Sequence, residues 1–130
     1  MSALRVLYVD DEPDIREVAI LSLRLDSEMD VHSAESGTQA LEVLARDDWK
    51  PDLILLDVMM PGMDGPTTLA TLRTLAATQN TPVIFMTARA QNFEKDRLLK
   101  LGALGVIAKP FDPMGLASQL RAMVRTAAAA

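Results

Sequence analysis

The chain has 130 residues, a formal net charge of −5 and no cysteine. That length suits one domain, which buries about two-thirds of the surface its unfolded chain would expose and needs no staple. Without thiols a disulfide framework and thiolate zinc sites are excluded, which fits a cytoplasmic setting. The acidic balance argues against direct nucleic-acid binding, because neutralising phosphates takes clustered Lys and Arg. No apolar run approaches the ~20 residues that span a bilayer, and no basic segment with a long apolar stretch marks a signal peptide, so no membrane partner is expected.

In chain order, the apolar run Leu4–Val9 predicts a first strand, and Asp10, Asp11 and Glu12 follow it. Pro13 suits a first helical position, with Ile15, Val18, Ala19, Ser22 and Leu25 expected along one inward face. Met29–Ala34 predicts the second strand. Ser36 with Gln39 forms a capping-box pattern ahead of Ala40, Leu41 and Leu44. A third strand over Leu53–Leu56 is followed by Asp57. Asp64-Gly65-Pro66 then starts a third helix, with Leu69, Leu72 and Ala76 expected to face inward.

The fourth strand, Val83–Met86, leads to Thr87. Asn92 to Leu101 predicts a charged helix with a thin core face of Leu98 and Leu101, joined by Leu99, and Gly102 supplies its stop. A helix so weakly anchored is a natural moving part. Leu104–Ala108 predicts the fifth strand, with Lys109 after it. Asp112-Pro113 is expected to start the last helix, striped by Leu116, Ala117, Leu120, Met123 and Val124. The domain is expected over residues 1–126, with 127–130 an Ala-rich tail and no output domain visible.

Short apolar runs alternating with amphipathic segments are the pattern of an α/β fold with a parallel sheet. In such sheets ligands bind outside the carboxyl ends of the strands. The residues at those ends are Asp10, Asp11, Asp57, Thr87 and Lys109, so several kinds of polar group converge on one rim. Neighbouring carboxylates repel unless a cation or protons separate them. An oxygen-only donor set favours a hard ion such as Mg²⁺, with Mn²⁺ as the alternative. Asp57 suits a carboxylate nucleophile, and the metal, Lys109 and Thr87 suit stabilisation of a transferring phosphoryl group.

Asp10-Asp11 after strand one, Asp57 after strand three, Thr87-Ala88 after strand four and Lys109-Pro110 after strand five resemble response-regulator receiver domains of the single-domain chemotaxis type. The resemblance covers nearly all of the chain. It implies a flavodoxin-like, CheY-like (βα)5 fold: five parallel strands in the order 2-1-3-4-5, with helices on both faces. Asp57 is then the phosphoacceptor. Asp11, Asp57 and the Met59 backbone carbonyl ligate Mg²⁺ directly, and Asp10 acts mainly through water. Thr87 and Lys109 bind the phosphoryl group, small Ala88 leaves access to it, the Lys109–Pro110 bond is cis, and Pro61 and Gly65 form the turn after the acceptor strand.

The implied function is that of a phosphorylation-activated receiver in a two-component system. A sensor histidine kinase or histidine phosphotransfer protein is the donor, and the chain is no enzyme beyond its own Mg²⁺-dependent phosphorylation and dephosphorylation. Phosphorylation is expected to move the strand-four loop and the 91–101 helix. A downstream partner would read the surface made by the last two helices and strand five. One position departs from the family: Val106 stands three before Lys109, where many members carry an aromatic ring that turns inward on activation. A haloacid-dehalogenase-type phosphatase is disfavoured, because Asp57-Val58-Met59 lacks the second Asp that family uses as general acid. A pseudo-receiver is disfavoured by the complete acidic set, and flavin binding by bare carboxylates that would repel a phosphate. Met60 and Met63 read as gap-fillers, and His32 and Trp49 are assigned no role.

Overall fold

The computed structural model describes residues 3–46, 48–89 and 91–129. Five strands alternate with five helices: β1 Leu4–Val9, α1 Pro13–Arg24, β2 Met29–Ala34, α2 Gly37–Ala45, β3 Leu53–Asp57, α3 Gly65–Leu72, β4 Val83–Thr87, α4 Asn92–Lys100, β5 Gly105–Ala108 and α5 Leu116–Ala129. All strands pair in parallel in the order β2-β1-β3-β4-β5. The expected architecture is the one found.

Alternation along each strand divides the core between the two faces of the sheet. Leu7, Val9, Ile54, Leu56, Val83 and Phe85 pack against Ala40, Leu44, Leu69, Leu72 and Leu98 of α2, α3 and α4. Val6, Tyr8, Leu53, Leu55, Ile84 and Met86 pack against Ala19, Leu23, Leu116 and Leu120 of α1 and α5. β3 and β4 are buried throughout, as central strands covered on both sides must be. Arg121 ties α5 to the turn after α1 through Asp26, at 2.5 Å.

The helix starts follow their caps. Ser36 accepts from the Gln39 amide at 3.0 Å, and the Gln39 side chain reaches back to the Glu35 N–H at 2.6 Å, one residue before the usual capping-box donor. Asp64 caps α3 through the Thr67 amide at 2.8 Å.

Four local expectations are corrected. On α1, Ala19 and Ser22 are buried as expected and Leu23 joins them, whereas Val18 and Leu25 are 44% and 67% exposed, because the inward face is narrower and turned toward Leu23. α3 ends at Leu72, so Ala76 lies beyond it and is exposed. Only Leu98 of α4 is buried, and Leu101, outside the helix, is 47% exposed. α5 begins at Leu116, not at Asp112-Pro113. There the Asp112 side chain accepts from the Met114 amide at 3.0 Å, which turns the chain before helical bonding starts with Gln119 N–H to the Gly115 carbonyl at 2.9 Å. The three residues Ala127–Ala129 continue that helix.

Candidate functional site

Parallel pairing brings every strand's carboxyl end to one rim. Chain order reverses there between β1 and β3, which leave in opposite directions and open a crevice. Asp57 and Thr87 are the last residues of β3 and β4, with Asp57 opposite Met86 and Thr87 opposite Ala108. Asp10 to Glu12 fill the step from β1 to α1, and Lys109 follows β5.

The acidic cluster is tight. One carboxylate oxygen from each of Asp10, Asp11 and Asp57 lies within 4.8 Å of the others. Lys109 Nζ stands 3.0 Å from Asp10 Oδ2, 3.3 Å from Asp57 Oδ2 and 3.7 Å from Glu12 Oε1. Asp10 is fully buried and its side chain is held by donors on both oxygens: Oδ2 also accepts from the Tyr8 hydroxyl at 2.9 Å, and Oδ1 from the Glu12 amide at 3.0 Å. Arg16 donates to the Asp10 carbonyl at 2.7 Å.

Asp11 differs. Its Oδ1 is the one buried side-chain oxygen or nitrogen among the described residues that lacks a hydrogen-bond partner. A carboxylate oxygen left bare beside two other carboxylates is unfavourable unless a cation completes it. The donor set is all oxygen, so these residues fit a hard divalent ion.

The electrostatics agree with the geometry. Burial raises the Asp57 carboxyl to about 6; Lys109 opposes that rise and Asp10 adds to it. Burial works to lower the Lys109 ammonium, but the Asp10 and Asp57 carboxylates hold it above its ordinary value. Burial and the Asp10 carboxylate together push the Tyr8 phenol far up, so it remains a donor.

Thr87 is buried, and its Oγ1 accepts from the Arg89 amide at 2.9 Å. Ala88 is exposed beside it. The Met59 side chain is 71% exposed, two residues past Asp57. The Lys109–Pro110 bond is cis, as expected. Gly65 stands where the turn after β3 meets α3 and donates to the Val58 carbonyl at 2.9 Å. The structure thus brings Asp10, Asp11, Asp57 and Lys109 into one cluster, with Thr87 ending the strand beside that of Asp57.

Two participants escape a reading by motif, Tyr8 and Arg16. Tyr8 had a signal: it lies two residues before Asp10, and period 2 puts both on one side of the strand. His32 and Trp49 lie apart from the rim, their rings stacked 3.8 Å apart, with the Trp49 indole donating to Asp30 at 2.9 Å.

The family model described as "Response regulator receiver domain" matches residues 6–121. The phosphate regulon transcriptional regulatory protein PhoB of Pseudomonas aeruginosa is 38% identical over 120 residues, covering 92% of this chain and 51% of that protein. Response regulator PleD of Caulobacter vibrioides is 40% identical over 127 residues, covering 96% of this chain and 27% of PleD. The chain therefore spans about half or less of these curated relatives. Among solved structures, the Vibrio cholerae chemotaxis protein CheY4 superposes with a TM-score of 0.83 at 30% identity, covering 95% of this chain and 99% of CheY4. With the fold, the rim and these matches in agreement, the chain belongs to the response-regulator receiver domain family.

Proposed function

We propose that this receiver is switched by phosphorylation of Asp57 with Mg²⁺ bound beside it. The observation that carries the reading is the contact of Lys109 with both Asp10 and Asp57, next to the unpartnered oxygen of Asp11. Asp11, Asp57 and the Met59 carbonyl would hold the ion directly, with Asp10 acting through water; Mn²⁺ would serve in its place. Bound there, the ion neutralises charge on the phosphoryl oxygens.

The chain's own groups do the rest. A carboxylate oxygen of Asp57 attacks phosphorus as the P–N bond of a phosphohistidine donor breaks, its electron pair staying on the imidazole nitrogen. Lys109 pairs with a phosphoryl oxygen as a point charge. The Thr87 hydroxyl turns from the Arg89 amide toward the phosphoryl group, and Ala88 leaves the approach open. The donor class is a sensor histidine kinase or a histidine phosphotransfer protein, in the cytoplasm.

The switch rests on population shift. Moving a two-state equilibrium from 1:99 to 99:1 takes about 5.5 kcal/mol, and hydrogen bonds to charged groups contribute roughly 1.5–3 kcal/mol each. Two or three new bonds, from Thr87, Lys109 and a backbone amide near Ala88, meet that requirement. Val106 is half-buried on β5, opposite Phe85, and offers no ring to turn inward. The readout therefore falls to the Thr87 loop and to α4, whose single buried anchor is Leu98. A downstream protein would read the α4–β5–α5 surface.

Incubation with acetyl phosphate and Mg²⁺, followed by intact mass spectrometry, tests the reading. The expected result is one added phosphoryl group on the wild type and none on Asp57→Asn. Labelling retained in that variant would move the acceptor elsewhere.

A further inference from the structure

Lys109 has three ammonium protons and three carboxylates within reach: Asp10 at 3.0 Å, Asp57 at 3.3 Å and Glu12 at 3.7 Å. Phosphorylation turns Asp57 into an acyl phosphate, and the phosphoryl oxygens then compete with Asp10 for the ammonium, since the exposed Glu12 at 3.7 Å lies beyond hydrogen-bond distance. Of the three, Asp10 is fully buried, and a donor lost there must be replaced from within. The Tyr8 hydroxyl already donates to the same oxygen, Asp10 Oδ2, at 2.9 Å. Tyr8 is itself fully buried on β1, between the α1 and α5 side of the core and the rim.

Resting on the reading of Asp57 as phosphoacceptor, we propose that Tyr8 is a positioning residue which keeps Asp10 Oδ2 satisfied while Lys109 transfers to the phosphoryl group. Before transfer, Oδ2 is shared by Tyr8 and Lys109, and Oδ1 is held by the Glu12 amide. After transfer, the Tyr8 hydroxyl and the Glu12 amide leave one donor on each oxygen. Without Tyr8, the departure of Lys109 would leave Asp10 Oδ2 with no protein donor and only metal-bound water, so the ammonium would hold to Asp10 more strongly and the phosphoryl group would lose part of its hold on it. The Arg16 contact adds rigidity, because it fixes the Asp10 backbone carbonyl from α1.

A Tyr8 that merely filled space would be replaced by Phe without consequence for Lys109. Tyr8→Phe keeps the ring in the core and removes only the hydroxyl, and Asp10 retains two donors, so the variant should fold. Beryllofluoride with Mg²⁺, followed by ¹⁹F NMR, stands in for the phosphoryl group. Affinity for it should fall about tenfold in Tyr8→Phe, while affinity for Mg²⁺ alone, by calorimetry, stays within about threefold. In a Lys109→Ala background no transfer takes place, so adding Tyr8→Phe should change beryllofluoride affinity by less than about threefold.

An equal loss in both backgrounds, or wild-type affinity in Tyr8→Phe, overturns the role of Tyr8 and leaves the reading of the site intact. Failure of the wild-type protein to bind beryllofluoride overturns the reading and this role with it.

Discussion

Gly65 offers a direct test of how rigidly the acceptor strand is held. A Cβ at that position would lie 2.5 Å from the Asp57 carbonyl oxygen, 2.9 Å from Val58 Cα and 3.0 Å from Phe85 Cε1. Ordinary contact begins at 3.4 Å, so the carbonyl would have to retreat by the difference from 2.5 Å, about 0.9 Å. Two of the three obstacles are backbone and cannot swing aside. The Val58 amide is bonded to the Met86 carbonyl at 3.0 Å, and Gly65 itself to the Val58 carbonyl, so a retreat disturbs the ladder and the turn together.

Overpacking of this kind costs roughly 1–3 kcal/mol. A displacement near 1 Å at a reacting group costs about 10²-fold in rate. Gly65→Ala should therefore lower the urea midpoint and slow labelling by acetyl phosphate about 10²-fold. Gly62→Ala is the control: φ there is 77° and nothing lies within 4 Å of a Cβ, so it should cost about 1–2 kcal/mol of backbone strain and leave the labelling rate unchanged. A Gly65→Ala protein with wild-type midpoint and rate would refute the argument, as would an equal loss of rate in Gly62→Ala.

The Asp57 carboxyl is raised from 3.8 to about 6, which sets a pH dependence. Because the folded value is the higher one, the contribution of this group to metal-free stability is fully present below 3.8 and is lost as pH rises through about 6. Mg²⁺ needs the ionised form, so its affinity by calorimetry should fall about tenfold per pH unit below that value and level off above it. Leu98→Ala removes the sole buried side chain of α4. By hydrogen exchange, amide protection over residues 95–102 should fall while that of β1 and β3 persists, and the loss of stability should reach roughly 2–5 kcal/mol.

Strand positions and the polar groups at their ends were legible in the sequence, because short apolar runs with polar stops have few alternatives. Asp57 and Thr87 each proved to be the last residue of a strand rather than the first of a loop, a shift too small to disturb the site. Helix faces were read less well. On α1, the expected Ala19 and Ser22 are buried, but the stripe was drawn too far, through Val18 and Leu25, and missed Leu23; Ser22 donates to the Pro113 carbonyl near α5, which fixes the face that turns inward. The start of α5 was misplaced because Asp112-Pro113 reads equally as a cap or as a turn. In the site, carboxylates and the lysine announced themselves by type and position. Tyr8 did so only through its two-residue spacing from Asp10, since an aromatic residue in an apolar run otherwise reads as core.

The chain holds one tyrosine and one tryptophan. The tyrosine stands inside the acidic rim, and the tryptophan stacks on His32 along the β2 edge, bonded to Asp30 near that strand's start. Each optical signal thus has a single source at a different place on the molecule. Near-ultraviolet difference spectra of the phenol report on the rim, indole emission reports on the sheet edge, and the two can be followed in one cuvette without attaching a dye.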